Sequence, residues 1–273
     1  MLEALRAPAL APLVAWVEAT PATPEALERV HPLRYLNALE ALAAAGGGPI
    51  DPDTYLAPRS WEAIQASAGV ALAAVTAAMQ AGSGTAFAAT RPPGHHALAA
   101  HAMGFCFVNN VVVAARHAQA HGAGRVLIVD WDVHHGNGTQ ALVEQDASIR
   151  FVSLHQYPWY PGTGAADERG VGNVFNVPRP PGLPRATYVR DLLDAVDAAL
   201  TGWTPDLLLV SAGFDSLAGD PLGGFTLLPE DVATWTAALR ARLPGRPIAA
   251  LLEGGYRLDL LAAGVAALVR ALA

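Results

Sequence analysis

At 273 residues, just over half of them apolar (52%), the chain can bury a sizeable core and sits at the upper end for one domain, a length that open α/β sheets often reach as a single unit. A formal net charge of −7 without an acidic tail argues against nucleic acid as a partner and mildly favours cationic ones. The single cysteine, Cys106, rules out an internal disulfide, no apolar run reaches about 18 residues, and no leader-like segment opens the chain, so a cytoplasmic protein without a membrane partner is expected.

In chain order, Thr23-Pro24-Glu25 opens a first helix, with Thr23 as the cap and proline in the first turn. A second helix follows His31-Pro32 and stops at Gly46-Gly47-Gly48. Ser60 caps a long third helix that runs to Met79 and ends at Gly82. Short apolar runs at 86–90, 125–130, 149–154, 174–177, 207–211 and 248–252 then read as buried strands. Amphipathic helices fall between most of them, at 108–120, 187–200, 230–243 and 258–272. This alternation predicts one α/β unit over 1–273, a mostly parallel sheet with helices on both faces.

The polar clusters fall just after the strands: Arg91-Pro-Pro-Gly-His95-His96, Asp130-Trp-Asp132-Val-His134-His135-Gly-Asn137-Gly, His155, Ser211-Ala-Gly-Phe-Asp215 and Glu253-Gly-Gly-Tyr256. In an open α/β sheet those points lie along one edge, outside the carboxyl ends of the strands, so distant segments converge on one cleft. Asp132 and His134 are two apart, so on extended backbone they point the same way. Asp215 can complete a three-ligand set that leaves a position open, the pattern of catalytic zinc, although the ligand types alone also admit iron(II), cobalt or manganese. His95 and His96 follow a rigid Pro-Pro-Gly turn and supply acid–base groups. Tyr256 follows two glycines and offers a neutral donor to a developing oxyanion.

These motifs, together with Gly104-Phe-Cys-Phe107 and Gly219-Asp-Pro-Leu-Gly-Gly224, resemble the class II-type branch of the histone deacetylase family, which also holds acetylpolyamine amidohydrolases and acetoin-utilisation proteins. The resemblance runs from about His31 to the C-terminus. It implies an arginase-like α/β fold, one zinc ion on Asp132, His134 and Asp215, and amide hydrolysis by a metal-activated water. It makes His95 and His96 the tandem catalytic histidines, partnered by Asp130 and Asn137, and Tyr256 the carbonyl-polarising group. It lines the acyl-lysine channel with Gly104, Phe105 and Tyr160, sets Leu222 beside them, and puts Asp53 at the rim to hold the substrate backbone. It also implies a structural potassium ion held by the Asp130 side chain, the carbonyls of Asp132, His134 and Leu154, and the Ser153 hydroxyl. Relatives usually start with a further strand and a His-Pro-Glu-Arg-Pro-like loop that have no counterpart here, so part of the pocket rim and a sheet edge are expected to be missing. Some relatives place Asp where this chain has Asn137.

The leading expectation is a deacetylase acting on acetylated lysine peptides or proteins. A deacetylase of small acetylated amines such as acetylpolyamines is the alternative, and a catalytically silent acetyl-lysine binder the third. The presence of the three ligands, both histidines and Tyr256 argues against the silent binder. A binuclear manganese ureohydrolase would need paired Asp-rich motifs that are absent. The sequence leaves the oligomeric state and the acyl-chain preference open.

Overall fold

The computed structural model describes residues 1–82 and 84–273. The first part of the chain holds α1 (Leu2–Arg6), a short 3-10 turn, α2 (Pro24–Glu28), α3 (Leu33–Ala44), the two-residue strands β1 (Gly48–Pro49) and β2 (Tyr55–Leu56), and α4 (Ser60–Gln80). Strands and helices then alternate: β3 (Thr85–Ala88), α5 (Asn110–Ala120), β4 (Val126–Asp130), α6 (Asn137–Val143), β5 (Ile149–Gln156) and β6 (Val174–Arg179). The rest comprises α7 (Arg185–Leu200), β7 (Leu207–Ala212), α8 (Pro229–Arg242), β8 (Ile248–Leu252) and α9 (Leu258–Leu272).

β3 to β8 form one parallel sheet in the order β3-β8-β7-β4-β5-β6. After β4 the chain moves outward on one side through β5 and β6, then crosses back to β7 on the other side. A crevice therefore opens between the carboxyl ends of β4 and β7, the position at which open α/β sheets bind ligands.

Strict alternation along the strands divides the core. Leu127, Val129, Val152, Leu208, Val210 and Ala250 face α7, α8 and α9, where Leu192, Trp235 and Leu268 are buried. Val126, Ile128, Phe151, Leu207, Leu209 and Leu251 face α4 and α5. Both faces of every central strand are apolar, which is why these strands read as unbroken hydrophobic runs.

Several expectations shift at the edges. β3 begins at Thr85 and ends at Ala88; Thr90 lies beyond it and donates its hydroxyl to the Leu252 carbonyl (2.6 Å). β5 runs on through Gln156, so His155 is inside the strand rather than after it. Ser60 is the first residue of α4 and not its cap; its hydroxyl accepts from the Ala57 amide (2.9 Å) and ties down the preceding turn. α1, α6 and the β1–β2 hairpin are too short to show a period. α4 reaches the length of a membrane span, contrary to expectation: it has 21 residues, and an 18-residue window of it has a mean hydropathy of 1.3. In the fold it packs against α5, β3 and β8, with Trp61, Ile64, Ala71 and Val75 buried. β3 has β8 as its one strand partner among the described residues, and an apolar groove lined by Val14, Trp16, Val70, Phe87 and Leu272 runs beside it.

Leu209 lies fully buried on the α4–α5 face. Leu209→Ala should cost roughly 2–5 kcal/mol, because the close-packed neighbours cannot collapse into the gap. In urea the midpoint should fall with an unchanged slope; a loss under about 1 kcal/mol would contradict close packing on that face.

Candidate metal and acid–base centre

Asp132 and His134 lie on the bend that leaves β4, and Asp215 lies on the turn that leaves β7. Asp130 pairs with Ser211 in register, so the two segments start level and reach the same point above the sheet. One ligand atom from each of Asp132, His134 and Asp215 falls within 4.8 Å of the others. His134 Nδ1 is 3.0 Å from Asp132 Oδ1 and 3.2 Å from Asp215 Oδ2.

These carboxylates are fixed by backbone. The Gly254 amide donates to Asp132 Oδ2 (2.9 Å), the His134 amide to Asp132 Oδ1 (2.9 Å) and the Val133 amide to Asp215 Oδ1 (2.9 Å). Asp215 Oδ2 is buried with no hydrogen-bond partner among the described residues. Burial, then the Asp132 charge, pushes the Asp215 carboxyl up to about 7. A Cβ on Gly254 would sit 2.1 Å from Asp215 Oδ2 and 2.7 Å from Asp132 Oδ2, so only glycine leaves the space between the carboxylates open. Two carboxylates, one of them with an orphaned oxygen, and one imidazole converge on a space kept clear by glycine, a set that fits a divalent cation.

The histidine pair sits alongside, with ring centroids 4.0 Å apart. His95 Nδ1–H donates to Asp130 Oδ2 (3.0 Å), whereas His96 Nδ1–H donates to Asn137 Oδ1 (2.7 Å). Burial opposes charge on His95, but attraction from Asp132 and Asp130 overcomes it and holds its pKa well above the ordinary value. His96 is held well below by burial and by repulsion from His95 and His134. The loop's backbone is gripped by Glu253, whose Oε2 accepts from the amides of Gly94 (2.7 Å) and His95 (3.2 Å) while Oε1 accepts from the Ser211 hydroxyl (3.0 Å). Burial pushes Glu253 up to about 7. α6 helps too: the Thr139 amide donates to the His95 carbonyl (3.1 Å).

Above this floor lies a cavity of about 260 Å³ lined by Asp53, His96, Gly104, Phe105, His134, Trp159, Tyr160, Leu222 and Tyr256. Gly104 and Phe105 both have positive φ (55° and 65°), a costly conformation for a phenylalanine that swings its ring into the channel. A Cβ at Gly104 would meet the His96 ring at 2.4 Å. The Phe105 amide donates to Thr54 Oγ1 (3.1 Å), and that hydroxyl donates to Asp53 Oδ1 (2.8 Å), so the rim carboxylate and the aromatic wall share one hydrogen-bonded chain. The Phe105 ring meets Tyr256 edge to face at 5.9 Å. Tyr256 is a neutral phenol, its pKa raised by burial and by the Asp215 and Asp132 charges.

Asp130 is buried at the end of β4, in register with Ser153 on β5. The Ser153 hydroxyl is 2.9 Å from His155 Nδ1, and Leu154 is buried beside it. His155 is drawn away from the cleft: its Nε2–H donates to the Gly164 carbonyl (2.9 Å), and its ring packs on His135.

Three contributors, Trp159, Thr54 and Glu253, escaped the sequence reading of the site, and a fourth residue, Asp220, reads from sequence as a candidate for binding a substrate cation. Trp159 lines the mouth next to Tyr160, and its indole donates to the Leu222 carbonyl (2.9 Å). Thr54 and Glu253 act through backbone amides, a use that residue type does not signal. Asp220 is turned away from the mouth, onto the amides of Leu222, Tyr256 and Arg257, so it is not free to bind a substrate cation.

Fold and site together define an α/β protein with an Asp-His-Asp metal cradle beside a paired histidine and a tyrosine. The histone deacetylase domain family matches residues 1–272, and the chain belongs to that family. It is 42% identical over 247 residues to a histone deacetylase-like amidohydrolase of Pseudomonas aeruginosa, covering 87% of this chain and 65% of that one. It is 37% identical over 274 residues to the human polyamine deacetylase HDAC10, covering 94% of this chain and 41% of that one. The crystal structure of the HDA15 HD domain superposes with a TM-score of 0.95 at 37% identity, covering 99% of this chain and 78% of that one, and carries the same arginase-like fold. The chain thus spans less than two thirds of the length of the first two relatives.

Asp215→Ala removes the orphaned oxygen and one of two negative charges. The purified variant should lose bound divalent metal, read by elemental analysis. Full retention of metal would contradict the ligand set.

Proposed function

We propose that the chain removes acetyl groups from acetylated lysine side chains in proteins or peptides, with one zinc ion held by Asp132, His134 and Asp215. The observation that carries this reading is the aromatic-walled cavity that ends on the metal cradle, the histidine pair and Tyr256. When bound, zinc would supply a Lewis acid at the cavity floor. The remaining work falls to the chain's own groups. Phe105 and Tyr160 pack the methylene stem of the side chain. Tyr256 donates a hydrogen bond to the amide carbonyl oxygen as charge develops there. His96, neutral near pH 7, takes a proton from the attacking water and returns it to the leaving amine. His95, held by Asp130, stays cationic and acts electrostatically. Potassium beneath Asp130 is part of the same reading, supported by a buried carboxylate that has no arginine among its hydrogen-bond partners in the described residues.

One observation favours a second substrate class, acetylated polyamines. Asp51 and Asp53 lie together near the mouth, where they would attract a cationic amine; burial and the Asp51 carboxylate hold Asp53 above the usual range. Leu222 argues the other way, because it lines the mouth and offers a distant ammonium no partner. Metal analysis with turnover of an acetyl-lysine peptide panel beside N-acetylputrescine separates the two.

Division of labour between the histidines predicts that His96→Ala costs more in kcat than His95→Ala. The reverse order, with metal content intact in both, would refute it. For substrate choice, kcat/KM should be higher for acetyl-lysine peptides than for N-acetylputrescine, and Leu222→Glu should move the ratio toward the polyamine. A wild-type preference for the polyamine would assign the channel mouth to Asp53 instead.

A further inference from the structure

The segment that carries Tyr256 has little of its own to hold it. Gly254 and Gly255 precede the tyrosine, and Gly255 has a φ of 137°, in a region other residues rarely adopt. Tyr256 is itself 37% exposed, so packing alone does not fix it. The backbone is held from the facing loop. Asp220 Oδ2 accepts from the amides of Tyr256 (2.7 Å) and Arg257 (3.1 Å), and Oδ1 accepts from the Leu222 amide (3.0 Å). Asp220 is only 5% exposed, and no basic side chain is among its partners in the described residues. A buried carboxylate whose bonds all go to backbone amides makes strong, charge-assisted contacts, and their loss leaves those amides unsatisfied. The Leu222 carbonyl in turn accepts from the Trp159 indole (2.9 Å), so one chain of bonds joins the channel mouth to the tyrosine.

We propose that Asp220 is a positioning residue for the deacetylation step: it clamps the Tyr256 and Arg257 amides, holds the phenol over the cavity floor, and couples it to the Leu222 wall. The inference rests on the reading of Tyr256 as the oxyanion donor. A purely structural role, folding the loop around 217–224, would weaken the protein without acting through the tyrosine.

The test combines Asp220→Ala and Asp220→Asn with and without Tyr256→Phe, measuring hydrolysis of an acetyl-lysine peptide by the zinc-loaded protein and hydrogen exchange over residues 253–258. Asp220→Ala should lower kcat about 10- to 100-fold, no more than loss of the donor itself, with KM shifted by less than about threefold. In the Tyr256→Phe background the same change should alter kcat by less than about threefold, since the two residues act as one unit. Asp220→Asn keeps one carbonyl oxygen for the two amides and should recover most of the rate. Exchange at Tyr256 and Arg257 should rise at least about tenfold in Asp220→Ala, with the sheet unchanged. An equal fall in both backgrounds, or unchanged exchange at those amides, overturns the proposal. If the wild-type protein hydrolyses no acetyl amide, the functional reading fails and the exchange measurement alone decides the clamp.

Discussion

Two carboxylates, Asp132 and Asp215, are buried beside each other with one imidazole between them, and the rest of the site depends on that arrangement. Like charges removed from water are costly, and here their partners are backbone amides rather than arginines. A divalent cation would resolve the conflict. The surrounding structure is arranged to permit it: β4 and β7 are neighbours in register, and Gly213 and Gly254 keep side-chain atoms away from the carboxylate oxygens.

The adjacent histidines show how partners at the end of β4 and the start of α6 give one residue type two different environments. The rings touch, yet one faces the Asp130 carboxylate and the other the Asn137 amide. A carboxylate favours the imidazolium and a neutral amide does so far less; once His95 is cationic, its charge pushes His96 further toward the neutral form. Asn137 opens α6, and the same helix holds the His95 carbonyl through the Thr139 amide, so a single short element contacts the ring of one histidine and the backbone of the other.

Much of this was legible because chemistry and fold share a landmark. The unbroken apolar runs of β4, β7 and β8 are visible in sequence, and polar motifs abut their carboxyl ends, so Asp132, His134, Asp215 and Tyr256 can be gathered on one edge without coordinates. What stayed hidden is what residue type does not encode. Glu253, Asp220 and Thr54 act on backbone amides whose positions exist only after folding. Trp159 belongs to the mouth because its indole reaches the Leu222 carbonyl across the cavity, a contact separated by 63 residues. α6 has too few residues to display a helical period. Ser60 looked like a cap by type, but its hydroxyl turns back to the Ala57 amide.

The central claim is that the cradle beneath the aromatic channel holds one catalytic divalent ion. It is tested most directly by stripping the protein with a chelator and titrating zinc back while following hydrolysis of an acetyl-lysine peptide. The account predicts no turnover in the stripped protein, a linear rise with added zinc, and a plateau at one equivalent. Turnover that survives stripping, or a plateau that requires two equivalents, would contradict it.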